Sequence, residues 1–282
     1  MLDDGTIVES APAKLNLALH VRRRRADGYH ELETLFAFAQ DGDEITLSRA
    51  AAPSLTITGP FSADLNAGSD NLVSRAVAAF RGAFQVHGHQ AVILEKRLPI
   101  ASGIGGGSAD AAATLRALAR LHGVPLDSEL LMRCAASLGA DVPPCLLGRT
   151  ALGTGRGDDL TVLEPLGGVP ALLVNPRVAV STASVFAGWD GVDRGPIIAG
   201  GSVMERARAG RNDLAASATM LAPAVAEVLA WLQDAPGVAF VRMSGSGATC
   251  FALFDSAAMR HAAAIALARE RPGWWMLETS LA

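Results

Sequence analysis

Cysteine is scarce: the 282 residues hold three, Cys134, Cys145 and Cys250, far apart in the chain. An odd number without metal-ligand spacing leaves out a disulfide framework and a zinc cluster, and fits a reducing, cytoplasmic compartment. Long apolar runs are also missing. The most apolar helical stretch, Ala222 to Leu232, is broken by Glu227 and falls short of the ~20 residues of a membrane span. The start, Met1-Leu2-Asp3-Asp4-Gly5, is acidic and lacks the basic and apolar segments of a signal peptide. There is no basic excess: 24 Lys and Arg stand against 28 Asp and Glu, a formal net charge of −4. That balance argues against a general nucleic-acid binder. The local run Arg22 to Arg25 reads as a solvated loop able to attract polyphosphate ligands. No Ser-His-Asp set and no zinc cluster are legible. What is present is a half-hydrophobic chain, long enough for one large domain or two ordinary ones.

Periodicity predicts mixed strands and helices in the first half. Residues 13–19, 44–47, 54–58 and 91–95 read as strands, and residues 71–84, 111–122 and 128–138 as helices. Gly123 and Pro125 stop the second helix, and Asp127 or Ser128 caps the third. In the second half, 171–174, 238–243, 249–254 and 274–277 read as strands, with helices from Pro223 and over 259–269. Strand, helix, two strands, helix, strand is a split βαβ order. The glycine-rich residues 188–201 read as a mobile connection inside this half. The predicted boundary between the halves lies near residue 155, and the last strand is a candidate to pack on the first half.

The densest signal is Leu98-Pro99-Ile100-Ala101-Ser102-Gly103-Ile104-Gly105-Gly106-Gly107-Ser108-Ala109-Asp110, set between a strand and a helix. Glycines let backbone N–H groups turn inward without side chains in the way, and the helix points its positive end at the same place. That is a phosphate cradle. It is not a Walker A loop, because no Gly-Lys-Ser/Thr ends it. It is not a full dinucleotide fingerprint either, because Ser108 stands where the third glycine belongs.

The pattern Pro99-x3-Gly103-x-Gly105-x2-Ser108-Ala109 resembles the phosphate-binding motif of the GHMP kinases (galactose, homoserine, mevalonate and phosphomevalonate kinases and their relatives). Two further motifs of that family have counterparts here, Ala11-Pro12-Ala13-Lys14-Leu15-Asn16-Leu17 and Val241-Arg242-Met243-Ser244-Gly245-Ser246-Gly247-Ala248-Thr249. The runs Arg25-Ala26-Asp27-Gly28-Tyr29-His30-Glu31-Leu32 and Gly139-Ala140-Asp141-Val142-Pro143 are similar to the branch whose acceptor alcohol carries a cytidine diphosphate group. Ile104, Gly157-Asp158-Asp159 and Asn212-Asp213-Leu214-Ala215 depart from the family's usual residues, and none of them touches the expected chemistry.

The resemblance implies an α+β, two-lobed GHMP kinase fold: an ATP-binding lobe over 1–155, like ribosomal protein S5 domain 2, and a ferredoxin-like substrate lobe over 156–282. It implies ATP with Mg2+ as cofactor. It implies a small-molecule partner bearing cytidine diphosphate, with no nucleic acid or membrane, in a monomer or homodimer. Lys14 and Asp141 are the expected catalytic pair, distant in sequence and required to meet in the fold. Pro99, Gly103, Gly105, Gly106, Gly107, Ser108 and Ala109 would hold the nucleotide's phosphates, with Asn71 and Lys96 near the adenine. Asn16 would contact the acceptor, Tyr29, His30 and Phe186 the cytosine, and Thr182 the substrate phosphates or polyol. Read without the resemblance, Asp141 follows a helix end, Lys14 is a strand residue, Asn71 a helix cap and Phe186 a core residue. A GHMP kinase for another alcohol and a non-catalytic nucleotide-binding relative remain as alternatives.

Overall fold

The computed structural model describes residues 5–63 and 65–282. Of the acidic start considered above, residues 1–4 lie outside them. Two compact units emerge. One comprises Met1–Ala13, Asp41–Ile100 and Gly105–Gly148; the other comprises Lys14–Gln40, Ala101–Ile104 and Arg149–Ala282.

The chain opens with two long strands, β1 (Ile7–Arg24) and β2 (His30–Ala50). An Asp27-Gly28 turn joins them: Gly28 takes a φ of +85°, and the Asp27 carboxylate accepts the Tyr29 N–H at 3.1 Å. Those are the roles these two residues fill in tight hairpins. Sequence periodicity predicts only fragments of both strands. Every residue from Ala13 to Val21 is buried. A strand covered on both faces loses the alternation by which strands are recognised.

In the first unit, Glu44–Ala50 of β2 pair antiparallel with β4 (His89–Glu95), and β4 pairs parallel with β3 (Ser54–Thr58). Helix α1 (Leu72–Phe84) turns Val73, Ala76 and Phe80 inward and packs on α2 (Gly106–His122). Helices α3 (Glu129–Leu138) and α4 (Val142–Leu147) complete the unit. Glu9, 7% exposed, lies between Arg116 and Arg120 of α2. Arg116 also donates to the carbonyls of Ser10 and Cys145, tying β1, α2 and α4 together.

In the second unit, Thr34–Phe36 of β2 pair with β5 (Ala151–Thr154), which pairs with β6 (Asp159–Val162). After β7 (Pro170–Asn175) come the short helices α5 (Thr182–Ala187), α6 (Val203–Ala209) and α7 (Ala215–Leu221). Then follow α8 (Ala224–Gln233), β8 (Val238–Met243), β9 (Cys250–Phe254), α9 (Ala257–Glu270) and β10 (Trp275–Ser280). The four strands form an antiparallel sheet in the order β10-β7-β9-β8. This is the split βαβ arrangement expected from the element order. Val225, Val228 and Leu232 of α8 and Ala263, Ala264 and Leu267 of α9 pack on Cys250, Ala252 and Phe254. Phe251 and Leu253 alternate to the opposite face, where Phe251 meets Phe240 at 6.0 Å between ring centroids. Beyond β10, Leu281 bridges Ala39 and the Ala282 N–H donates to the Phe38 carbonyl.

Residues 188–201, expected as a mobile connection, are instead tethered. Arg22 pairs with Asp193, and the Ile197 N–H donates to Glu33. His20 Nε2 accepts the Arg211 N–H at 3.1 Å, so its proton sits on Nδ1 and donates to the Gly195 carbonyl at 3.0 Å. All three cysteines are buried free thiols. Among the described residues, no helix is long and apolar enough to cross a membrane.

The solvent-free packing of Phe251 gives a direct check on this core. Phe251→Ala is expected to lower stability by about 3–5 kcal/mol, seen as a lower urea midpoint with an unchanged slope. A loss below about 1 kcal/mol would show that the sheet does not depend on this face.

Candidate active site

In the first unit the glycine run becomes the start of α2 rather than a loop ahead of it. The helix begins at Gly106, five residues before the periodicity predicts, because Gly106 and Gly107 carry no side chain to signal a helical face. Gly105 is its N-cap at a φ of +66°, and no side chain caps the first turn. First-turn N–H groups without an intrahelical acceptor are anion donors, and the helix dipole adds to them. Ala109 lies in the buried start of this helix, Ser108 is partly exposed, and Pro99 is buried ahead of it.

Beneath this turn lies an ion cluster. The Lys96 ammonium is bonded to Asp43 and, at 2.8 Å, to Asp110. The three residues are 2%, 1% and 3% exposed. A Cβ added to Gly106 would stand 3.0 Å from the Lys96 Nζ. Asp43 Oδ1 also accepts the N–H groups of Arg97 and Leu98 at 2.6 and 2.7 Å. Burial alone would lower the Lys96 pKa, but Asp110 and Asp43 outweigh it and raise the value. Burial pushes the Asp110 carboxyl up to about 8; Lys96 opposes this and Asp43 reinforces it. The Lys96 amine is therefore committed inside the protein. Asn71 caps α1: its oxygen accepts the Val73 N–H and its amide donates to the Asn66 carbonyl, both at 2.9 Å.

Asp141 precedes α4, and its side chain does not cap that helix. Val142-Pro143-Pro144 begin a helix here rather than end one. Proline has no N–H to lose at a first turn and has its φ preset for it.

In the second unit, Lys14 is 3% exposed, with its ammonium 5.2 Å from the centroid of the Phe36 ring. Its N–H donates to the Ile104 carbonyl. The Asn16 amide donates to Thr34 Oγ1 at 2.8 Å, and Thr34 in turn donates to the Ala18 carbonyl. The Asn16 oxygen is buried without a partner. Ser244 Oγ accepts the Asn16 N–H and donates to the Gly103 carbonyl at 3.0 Å. Gly103 has a φ of +78°, and a Cβ there would come within 2.5 Å of the Ser244 carbonyl oxygen. Asn212 secures the same turn by donating to the carbonyls of Met243 and Gly245, both at 2.8 Å.

Two of the three residues expected to read cytosine, His30 and Phe186, are in contact in this unit. The His30 ring lies 4.9 Å from Phe186 and 5.8 Å from Trp189, centroid to centroid. His30 Nε2 is buried without a partner. Tyr29 is 53% exposed, and the Arg156 guanidinium stands over its ring at 5.2 Å. The Thr182 and Ser246 hydroxyls are hydrogen-bonded at 2.9 Å. Sequence reasoning missed Asp43, Asp110, Thr34, Trp189 and Asn212. For Asp110 a signal exists, a lone acid in the alanine-rich start of a helix.

The comparisons with known proteins agree on one family. Profiles of the GHMP kinase N-terminal and C-terminal domains match residues 71–149 and 199–270. A 4-diphosphocytidyl-2-C-methyl-D-erythritol kinase of Rhizorhabdus wittichii is 54% identical over 97% of this chain and 94% of its own length. One of Sphingopyxis alaskensis is 50% identical over 98% and 99%. A crystal structure of 4-(cytidine 5'-diphospho)-2C-methyl-D-erythritol kinase superposes with a TM-score of 0.78 at 37% identity, covering 98% of this chain and 99% of that one. A homoserine kinase structure from Cytophaga hutchinsonii, at 20% identity and a TM-score of 0.74, shares the fold.

Burial, and secondarily the Arg24 charge, lower the His30 pKa below 6.5. The neutral ring is the favoured form, so the fold loses stability as the pH falls below the ordinary imidazole value and through the His30 value. An NMR titration is expected to place the His30 midpoint below that of a free imidazole, and Arg24→Gln to move it upward. A midpoint at or above the ordinary value would contradict the buried setting.

Proposed function

The chain belongs to the GHMP kinase family, and from that membership we propose that it transfers the terminal phosphoryl group of ATP to the 2-hydroxyl of 4-diphosphocytidyl-2-C-methyl-D-erythritol, a step in isoprenoid precursor synthesis. The strongest support is the 54% identity to a kinase of that name over nearly the whole chain. The contact of His30 with Phe186, and Tyr29 next to His30 in sequence, support the cytidyl half of the substrate.

Phosphoryl transfer to an alcohol needs the phosphates held, the developing charge balanced and the hydroxyl oriented and deprotonated. The uncapped first turn of α2, with Gly105, Gly106, Gly107 and Ser108, suits the first need. In this reading Asp141 orients the acceptor hydroxyl and takes its proton, and Lys14 balances charge on the transferring group. The unpartnered Asn16 oxygen is a ready acceptor for a substrate hydroxyl. His30, held neutral, offers a hydrogen bond to the cytosine edge, and Tyr29 and Phe186 offer ring faces for stacking. Among the described residues, no group of three His, Cys, Asp or Glu could hold a metal ion. In this reading Mg2+ would accompany the triphosphate and neutralise phosphate charge.

ADP release measured with and without the cytidyl alcohol tests the reading; release indifferent to that alcohol, or stimulated equally by mevalonate or homoserine, would overturn it. Asp141→Asn is expected to lower turnover by at least about 100-fold with a modest effect on ATP binding. Near-normal turnover would remove the assigned role. Tyr29→Ala is expected to raise the KM for the cytidyl alcohol roughly tenfold, in line with about 1–3 kcal/mol for a stacked base, and an unchanged KM would remove the stacking claim.

A further inference from the structure

We propose that Lys96 is a positioning residue for the nucleotide's phosphates: clamped by Asp43 and Asp110 under Gly106, its ammonium offsets the two buried carboxylates and so keeps negative charge away from the first turn of α2. The inference rests on the kinase reading above, in which that turn holds the triphosphate.

The geometry carries it. The ammonium lies where a Gly106 Cβ would almost touch it, directly under the first helical residue. It is fixed by a carboxylate on each side, with no more than 3% exposure on any of the three residues. Asp43 also fixes the backbone of Arg97 and Leu98, the two residues that lead into Pro99. A change at the cluster is therefore felt by the segment entering the cradle and by the helix leaving it.

Charge counting gives the second half. Two buried carboxylates share one ammonium and interact with each other, and Asp110 Oδ1 has no partner. Fully ionised, the cluster would carry one negative charge beneath the first turn of α2. A single proton brings it to zero. The other elements packed on α2 do not supply the balance. The buried faces of α1, α3 and α4 are uncharged, with Val73 and Phe80, Leu131 and Cys134, and Val142 and Cys145 among them. From β1, Glu9 is taken up by Arg116 and Arg120 farther along the helix. The elevated Asp110 value agrees with a retained proton at neutral pH.

One excess charge about 10 Å from a phosphate, at an effective dielectric near 20, corresponds to roughly tenfold in affinity. Steady-state kinetics on the full-length enzyme read this directly. Lys96→Met is expected to raise the KM for ATP about tenfold or more, with kcat and the KM for the alcohol changed far less. In the parent enzyme the KM for ATP is expected to rise as the pH passes from about 7 to about 9.5, and Asp110→Asn to flatten that rise. A purely structural role would lower the active fraction and leave the KM for ATP and its pH slope alone. Should Lys96→Met fail to fold, Lys96→Gln keeps a polar side chain under Gly106, removes the same positive charge and carries the same KM readout. An unchanged KM for ATP in the folded Lys96 variant, or the same pH slope in Asp110→Asn, overturns this inference while parental turnover leaves the kinase reading standing. A parent without ATP-dependent phosphorylation overturns both.

Discussion

Much of the first unit hangs on one carboxylate. Asp43 sits near the middle of the 21-residue strand β2, accepts two consecutive backbone N–H groups with one oxygen and binds the Lys96 ammonium with the other. A buried acid is costly unless its lone pairs are filled by good donors. Here they are filled by the segment that has to be placed, the stretch between β4 and the glycine run. Lys96 passes the constraint on to Asp110, and so to the first turns of α2. A strand, a connecting segment and a helix start are thereby fixed by a few atoms, and Gly106 must lack a side chain to leave room for them.

The second unit solves a similar problem with neutral groups. Ser244 donates to the Gly103 carbonyl and accepts the Asn16 N–H, while Asn212 binds the carbonyls of Met243 and Gly245. Hydroxyls and amides can donate and accept at once, so one side chain joins two backbone segments without bringing a charge into the interior. Two of the buried polar atoms left without a partner in this unit, the Asn16 oxygen and His30 Nε2, belong to residues the family resemblance associates with substrate.

How much of this was legible in the sequence depended on how local the cause was. The glycine run, a cap at Asp127 or Ser128 and the split βαβ order are short-range signals and could be read directly. The long strands could not. Over Ala13 to Val21 both faces are buried, which removes the period of two. In β2 the polar run Gln40-Asp41-Gly42-Asp43-Glu44 looks like a loop, yet Gly42 is there because a Cβ would collide with the Ala11 carbonyl, and Asp43 because it binds Lys96. The cluster itself joins positions 53 and 14 residues apart, a separation no window analysis spans. For Lys96 the sequence could not show that the amine faces inward, onto Asp43 and Asp110. The helix that starts beside Asp141 was not legible, because Val-Pro-Pro reads equally well as a stop and as a beginning.

The two compact units are not consecutive stretches of chain: the backbone passes from one to the other five times, once for only the four residues Ala101–Ile104. No single cut of the gene would therefore yield either unit whole. Exchange of either unit between related proteins by simple splicing would leave β1, β2 and the glycine run divided. Diversity on such a scaffold must arise by replacing side chains in place.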